Sequence, residues 1–394
     1  MKKYLILFLF TFLLHVPLTV CAADHEVDID ISAKSGILVE ADSGKIIMEK
    51  NADTKMPPAS VTKIMTLLLI FDEINKGKLE YNEEVQVSEY AASMGGSQVF
   101  LEAGEKQSVD TMIKCIAVAS ANDACVAMAE KICGSEESFV RRMNKRAKSL
   151  GMKNTKFLNC NGLDINGHLT TARDISLMSR ELLHKYPQIK KYCNIWMEDI
   201  VHHTRKGDKK FTITNTNKFI RKYEYATGLK TGSTGGAGFC LSASAEKNKI
   251  RLIAVVMAEP DSKTRVKDVI AMMNYGYSRC RRYEDNIYSE KVFKSDVRRG
   301  TRKTVKGQVE RSFSCVYFDD ESSDKIRSKV DMKELKAPVK KGNIIGKITY
   351  FAGEQPLGET NITALENVEE ITVSTALIKV SGDYFSLGLH KDKR

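Results

Sequence analysis

The period at which apolar residues recur changes along the chain, and this change limits the folds that the chain can adopt. Apolar residues recur at helical spacing in several stretches between residue 60 and about residue 186. Between 209 and 259 they alternate as in strands, and one more helical segment follows at 262–278. Beyond it the chain has only alternating runs and glycine-containing turns. Helices, a sheet and a separate β-rich end together predict an α+β fold with more than one domain.

The individual elements follow from the same patterns. Helices are expected over 60–77, 108–120, 122–135, 136–152, 172–186 and 262–278. Strands are expected over 37–40, 45–48, 209–217, 239–247 and 249–259. The first two strands flank a Ser-Gly turn and the last two are joined near Asn248, so both pairs are predicted to be hairpins.

The two ends of the chain suggest export and domain boundaries. Residues 1–23 combine two lysines, an apolar stretch and small residues, which predicts a secretory signal peptide; an uncleaved anchor is the competing interpretation. We therefore expect a secreted protein of the cell envelope, at the outer face of the cytoplasmic membrane. The predicted domains are a helix-containing α+β domain at 27–281, a linker at 282–289 and a β-rich domain at 290–380. The tail at 383–394 carries a thin apolar set, which predicts at most weak peripheral membrane contact.

Charge and cysteine usage exclude some classes of function. The formal charge is +11, but the excess is spread over the chain and no nucleic-acid motif accompanies it. Nine cysteines are present without CxxC spacing, and several lie in apolar runs, where cysteine acts as a small hydrophobe. The sequence thus predicts neither a nucleic-acid partner nor a metal site.

The stretch "PASVTKIMT" places Lys63 three residues after Ser60. On a helix these side chains share a face, and a lysine whose pKa is lowered can take the proton of a serine hydroxyl. The competing interpretation is a serine helix cap beside a solvated lysine. The same spacing recurs at Ser244/Lys247 and Ser322/Lys325, where we expect solvated polar turns. The motif alone is therefore weak.

Two further motifs strengthen the catalytic interpretation. Ser120 and Asn122 form the only Ser-x-Asn of the chain, in a corner between apolar helices. Either they close a turn, or they supply a hydroxyl for proton relay and an amide for a substrate peptide group. The Lys-Thr-Gly run that begins at Lys230 opens a strand in a glycine-rich setting, which would let a substrate backbone approach closely. A near-copy that begins at Lys34 precedes Ser60 and is taken as structural.

The order Ser-x-x-Lys, Ser-x-Asn, Lys-Thr-Gly resembles that of the penicillin-recognising serine enzymes. More narrowly, the chain is similar to low-molecular-mass penicillin-binding proteins of the serine D-alanyl-D-alanine carboxypeptidase family, densely over residues 30–280. The resemblance implies an antiparallel sheet flanked by helices plus a helical subdomain, followed by a small all-β C-terminal domain. It also implies peptidoglycan stem peptides ending in D-Ala–D-Ala as substrate, β-lactams as covalent inhibitors, and no cofactor.

By the same resemblance, Ser60 attacks the D-Ala–D-Ala carbonyl to form an acyl-enzyme. Lys63 is the base for acylation, and Ser120 passes the proton to the leaving amine. Asn122 binds the substrate amide.

The Lys-Thr-Gly strand supplies the remaining contacts that the resemblance implies. Lys230 and Thr231 face the terminal carboxylate, and Gly232 belongs to the substrate-binding set. The backbone N–H groups of Ser60 and Ser233 form the oxyanion hole. Independently of the resemblance, a second cation near Lys63 would help to keep it neutral.

Two departures from the family pattern bear on the exact activity. Thr216 stands in an Asn-x-Asn element where some members have arginine, so the carboxylate contacts are not fixed by the motif. Asp164 is the only acid in the stretch where class A β-lactamases place a glutamate for deacylation, which disfavours a β-lactamase. An endopeptidase or transpeptidase of the same fold is compatible with the motifs, and so is a penicillin-binding sensor that is acylated without turnover.

Overall fold

The computed structural model describes residues 29–204, 207–318, 326–374 and 376–377. The predicted signal peptide, the tail at 383–394 and the Ser322/Lys325 pair lie outside the described residues. All elements below belong to one compact unit, which starts at Ile31; the other unit, Met1–Asp30, contributes described residues only at 29 and 30.

Helices occupy most of the first half of the unit and strands dominate the second. The helices are α1 (Lys63–Asn75), α2 (Glu89–Ala92), α3 (Val109–Lys114), α4 (Asn122–Cys133), α5 (Glu136–Ser149), α6 (Ala172–Lys185), α7 (Ile189–Cys193), α8 (Phe219–Lys222) and α9 (Ser262–Arg279). The strands are β1 (Ser35–Glu40), β2 (Ile46–Lys50), β3 (Glu84–Gln86), β4 (Lys106–Ser108), β5 (Met197–Thr204), β6 (Gly207–Thr214), β7 (Ala226–Thr234), β8 (Gly238–Lys247), β9 (Ile250–Glu259), β10 (Cys280–Glu284), β11 (Phe293–Arg298), β12 (Thr304–Val309), β13 (Ser314–Phe318), β14 (Ile326–Met332), β15 (Leu335–Lys336), β16 (Ile344–Ala352) and β17 (Gln355–Ala364). A 3-10 turn (Ala59–Thr62) precedes α1, and a π-helical turn (Cys115–Ala119) follows α3.

The centre of the helix-containing part is a five-stranded antiparallel sheet with the order β2-β1-β9-β8-β7. Both predicted hairpins are present, and the turn between β8 and β9 has positive φ at Asn248 and Lys249. Because β7 is the last strand in this order, one of its edges is left without a strand partner in this sheet. The α+β prediction is confirmed.

Helices cover both faces of this sheet because its strands are apolar on both sides. Leu38 faces α9, where a Cβ added at Gly276 would lie 3.0 Å from its Cδ2 atom. On the opposite face, Ser179 of α6 shares a 2.8 Å hydrogen bond with Ser242 of β8. Helix α1 is buried along most of its length, from Lys63 to Glu73, since it packs against α4, α5 and α6.

A second layer of strands follows α9. Where the sequence predicts a linker at 282–289, β10 extends to Glu284 and pairs antiparallel with β13. A six-stranded sheet with the order β14-β16-β17-β12-β11-β15 builds the β-rich end around its own apolar core. No helix among the described residues is long and apolar enough to span a membrane.

Candidate active site

Ser60 lies inside the 3-10 turn and not at a helix cap. The residue that precedes the turn is Pro58, and no side chain caps either the turn or α1. The Ser60 hydroxyl is therefore not used for capping. Lys63 Nζ lies 2.9 Å from Ser60 Oγ, as the three-residue spacing predicts.

Lys63 is fully buried and makes three polar contacts through Nζ. Besides Ser60, it contacts Asn122 Oδ1 at 2.6 Å and the backbone carbonyl of Asn161 at 2.6 Å. A carbonyl and an amide oxygen only accept hydrogen bonds. A neutral amine would thus donate its two N–H groups to these oxygens and turn its lone pair towards the Ser60 O–H. This is the geometry that a base needs.

Burial supplies the electrostatic condition for this geometry. It lowers the pKa of Lys63, because the charged ammonium is poorly solvated there. Desolvation is thus the main cause of the lowered pKa of Lys63. Lys230 is also buried, and its pKa is lowered to about 7, first by burial and then by its neighbour Lys63.

The predicted corner follows the π-helical turn. Ser120 adopts a left-handed conformation, with φ of 63°, and is 3% exposed. Within the described part of the chain its hydroxyl makes no hydrogen bond, so it is available to a ligand. Asn122 Oδ1 accepts from Lys63, and one N–H of Nδ2 donates to Gly95 O at 2.7 Å. The amide has a second N–H, so these contacts are compatible with the predicted role in binding a substrate amide.

The 158–168 loop forms a further wall that the motifs do not include. Asn161 supplies the carbonyl to Lys63, and the backbone at Gly162 is so close to the nucleophile turn that an added Cβ would lie 1.9 Å from Ala59 O. His168 Nε2 lies 2.9 Å from Thr62 Oγ1, and burial lowers the pKa of this histidine to about 4. The loop is thus attached directly to the turn that carries Ser60.

Asp164, at the exposed tip of the same loop, is engaged in two hydrogen bonds. Its carboxylate accepts from Thr234 Oγ1 at 2.7 Å and from Gly236 N at 3.1 Å. These donors belong to the turn between β7 and β8. The acid that replaces a β-lactamase glutamate therefore links the loop to the Lys-Thr-Gly strand.

The Lys-Thr-Gly strand packs against the nucleophile turn. A Cβ at Gly232 would lie 2.9 Å from Ser60 N, so the close approach that requires glycine is that of the protein backbone itself. Thr231 Oγ1 lies 2.7 Å from Thr216 Oγ1, and Arg265 of α9 donates to Gly232 O at 3.2 Å. Ser233, the next residue, is exposed.

Lys230 is buried in the same region, 1% exposed, and Nζ donates to Thr231 O at 3.1 Å. The structure therefore brings the residues of all three motifs together, in the set Ser60, Lys63, Ser120, Asn122, Lys230, Thr231, Gly232 and Ser233.

The other Ser-x-x-Lys pair in the described residues does not form a site. Ser244 is buried within β8 and shares a 2.8 Å hydrogen bond with Thr227, so the predicted polar turn is a strand. Lys247 lies over the ring of Tyr225 instead. Residues three apart on a strand point to opposite faces, which is why spacing alone cannot define the motif.

Sequence reasoning missed three residues that contact the candidate active site: Asn161, Gly95 and Arg265. The first two act through backbone carbonyls, which have no side-chain signature. Arg265 lies in the predicted α9 helix, but nothing in the pattern indicates which strand it reaches. No group of metal-ligating side chains occurs in the described ranges.

A half-buried serine in contact with a buried lysine, beside an unbonded hydroxyl and an edge strand, defines a serine enzyme of the acyl-transfer class. The comparisons with known proteins agree. Residues 20–261 match the family model described as D-alanyl-D-alanine carboxypeptidase, and residues 286–370 match the C-terminal domain of penicillin-binding protein 5.

The similarity extends over most of the chain. The D-alanyl-D-alanine carboxypeptidase DacF of Bacillus subtilis is 40% identical over 353 residues, which cover 89% of this chain and 90% of DacF. The structure of penicillin-binding protein 5 from Haemophilus influenzae is 28% identical with a TM-score of 0.67, covering 86% of this chain and 98% of that one. PBP3 from Streptococcus pneumoniae has a TM-score of 0.72 at 25% identity, covering 86% and 100%. The chain belongs to the D-alanyl-D-alanine carboxypeptidase family.

Proposed function

We propose that this chain is a serine D-Ala–D-Ala carboxypeptidase that removes the terminal D-alanine from peptidoglycan stem peptides. The observation that carries the proposal is the contact of Lys63 Nζ with Ser60 Oγ, with Asn122 and Asn161 accepting its N–H groups. Family membership supports the choice of substrate.

The reaction would start with transfer of the Ser60 proton to the lone pair of Lys63. The Ser60 oxygen then forms a bond to the carbonyl carbon of the penultimate D-Ala, and the carbonyl oxygen becomes an oxyanion. The N–H groups of Ser60 and Ser233 would stabilise this charge. The Gly232 backbone packs closely on Ser60 N, which supports the proposal that the N–H groups of Ser60 and Ser233 point at the same oxyanion.

Collapse of the intermediate breaks the peptide C–N bond and releases D-alanine. Ser120 would give its hydroxyl proton to the leaving amine and take up the proton that Lys63 accepted from Ser60, which leaves Lys63 neutral again. Lys230 and Thr231 would hold the carboxylate of the departing residue. Water then hydrolyses the Ser60 ester: Lys63 accepts a proton from the attacking water and returns it to the Ser60 oxygen as the ester bond breaks.

Asn122 would have two roles. Its Oδ1 accepts from Lys63 and so orients the base, and one N–H of Nδ2 donates to Gly95 O. The second N–H of Nδ2 would donate to the substrate amide, the role that the resemblance implies.

The cellular setting is part of the proposal. The signal-like residues 1–23 and the family's substrate support secretion to the cell envelope, where β-lactams would acylate Ser60. The described residues include no motif for a cofactor.

The test is a parallel measurement of D-alanine release and penicillin labelling. Ser60→Ala should abolish both release from a D-Ala–D-Ala pentapeptide and the mass increase with penicillin. Ser244→Ala, from the second Ser-x-x-Lys pair, should retain both. Normal labelling of Ser60→Ala would overturn the assignment. A crosslinked peptide dimer in the same assay distinguishes an endopeptidase, and an added acceptor amine distinguishes a transpeptidase.

A further inference from the structure

Phe100 is an aromatic side chain that the fold presents at the surface. It is 63% exposed, whereas its neighbours Val99 and Leu101 are buried. Its φ is 63°, a left-handed conformation that a bulky residue rarely adopts. An exposed, strained aromatic residue between two buried ones is a candidate for a functional role at the surface.

A buried carboxylate holds Phe100 in this conformation. Asp123 is fully buried, and its Oδ2 accepts from Val99 N at 3.2 Å and from Leu101 N at 3.1 Å. The backbone amides of both neighbours of Phe100 are therefore held by one carboxylate. The exposed ring meets the half-buried Phe211 edge to face, with ring centres 6.0 Å apart.

The 95–101 segment is attached directly to the active-site corner. Asn122 donates its backbone N–H to Ser97 O at 2.7 Å and its side-chain Nδ2 to Gly95 O at 2.7 Å. An extended chain advances about 3.3 Å per residue, so Phe100 lies within about 10 Å of Ser97.

Phe211 connects the ring of Phe100 to the side of the site formed by the Lys-Thr-Gly strand. It lies on β6, and five residues further along the chain Thr216 contacts Thr231 of the Lys-Thr-Gly strand. The two aromatic rings thus lie at the junction between the segment that holds Asn122 and the segment that reaches Thr231.

We propose that Phe100, supported by Phe211, is a specificity-determining contact for the stem peptide upstream of D-Ala–D-Ala. Its exposed ring would pack against the aliphatic side chain of the residue that precedes the two alanines. This inference rests on the proposed carboxypeptidase function. We choose the stem peptide as the ligand for two reasons. The segment that carries Phe100 is hydrogen-bonded to Asn122, and an extended stem peptide advances about 7 Å over two residues, which brings its upstream part towards this segment.

Two substrates distinguish a contact between Phe100 and the upstream stem from an effect on the reaction at the D-Ala–D-Ala bond. N-acetyl-D-Ala–D-Ala lacks the upstream stem, and the full pentapeptide contains it. For Phe100→Ala we expect kcat/KM on the pentapeptide to fall about tenfold, mainly through KM. The rates on the short substrate and with penicillin should stay within about twofold. Phe100→Leu should recover much of the loss, because it keeps an apolar contact.

Phe100→Gly distinguishes binding from folding. Glycine adopts a left-handed conformation without strain, so this variant should melt at the wild-type temperature or higher. It should nevertheless lose the preference for the pentapeptide. Tyr81→Ala, at another exposed aromatic residue (38% exposed), is the matched control. It should change neither the melting temperature nor the preference for the pentapeptide.

Each other outcome overturns the inference. Equal losses on both substrates would make Phe100 a structural residue, and no loss would remove it from the binding site. A dimer in sedimentation that Phe100→Ala abolishes would assign the ring to contact between copies. If wild-type protein released D-alanine from neither substrate, the proposed function itself would fail, which is a separate result.

Discussion

Lys63 Nζ lies 2.9 Å from Ser60 Oγ, although the two residues belong to different helical turns. Ser60 lies in a 3-10 turn and Lys63 is the first residue of α1. Burial lowers the pKa of Lys63, so its neutral form is favoured where the hydroxyl proton must be accepted. The functional pair is therefore complete before a substrate binds.

The first prediction concerns Lys63 itself. Lys63→Ala removes the base, and Lys63→Arg replaces it with a group that stays protonated. Both variants should lower the rate of acylation by penicillin by about 10²–10⁴-fold, the range of general base catalysis. The rate can be followed by intact-protein mass spectrometry.

Lys78→Ala, just beyond the end of the same helix at an exposed position, is the control and should acylate at the wild-type rate. Rapid labelling of Lys63→Ala would mean that another group accepts the proton.

The second prediction is a pH dependence of substrate binding. Burial, and secondly the neighbouring Lys63, lower the pKa of Lys230 to about 7. Below this pH Lys230 is positive and attracts a substrate carboxylate; above it the charge is lost. KM for a peptide with a free carboxylate should therefore rise as pH increases above about 7, by up to about tenfold per pH unit.

An ester-capped peptide of the same sequence is the control for this effect. It lacks the carboxylate, so its KM should not rise over the same pH range. Parallel profiles for the two peptides would remove Lys230 from carboxylate binding.

Much of the site could be predicted because its motifs are local. Ser60 and Lys63 are one helical turn apart. The Lys230 to Gly232 run is expected to open a strand, but it lies in the middle of β7, which already begins at Ala226. The π-helical turn Cys115–Ala119 could not be predicted, because its apolar residues fit an ordinary helix equally well. Strand β10 extends into the predicted linker, since its polar residues pair with β13, a partner more than thirty residues away.

The remaining features depend on tertiary contacts. The carbonyl of Asn161 reaches Lys63 across 98 positions of the chain. Whether Asn122 faces substrate or base could not be decided from its residue type, because an amide suits both.

The third prediction tests the link made by Asp164. Asp164→Ala removes both hydrogen bonds between the 158–168 loop and the β7–β8 turn. We expect acylation to slow by about tenfold, since charged hydrogen bonds contribute about 1.5–3 kcal/mol when buried and less at this exposed position. Asp164→Asn keeps one acceptor oxygen, so its acylation rate should fall by less than that of Asp164→Ala. Penicillin acylation and release of the acyl group are measured separately.

The separate rates also show whether Asp164 acts in deacylation. If it activated the deacylating water, Asp164→Ala would acylate at the wild-type rate and accumulate acyl-enzyme. That result would contradict a positioning role.

The fourth prediction concerns a buried acidic pair away from the catalytic residues. Glu259, at the end of β9, is 1% exposed, and neither of its carboxylate oxygens has a hydrogen-bond partner within the described ranges. Asp268 of α9 is buried beside it and accepts from Ser32 N. Burial, and secondly the charge of Asp268, raise the pKa of Glu259 to about 8.

The sign of the effect on stability follows from linkage. Glu259 holds its proton in the folded protein up to about pH 8, but releases it near the ordinary value of 4.5 when unfolded. Stability from this group is present below pH 4.5 and is lost as pH rises towards 8, by up to about 1.4 kcal/mol per pH unit. Glu259→Gln stays neutral, so its free energy of unfolding should exceed that of wild type by more at pH 8 than at pH 5. Urea titrations across this range provide the measurement, with the half-exposed Glu246→Gln as control. Identical pH profiles for wild type and Glu259→Gln would show that Glu259 is ionised in the folded state.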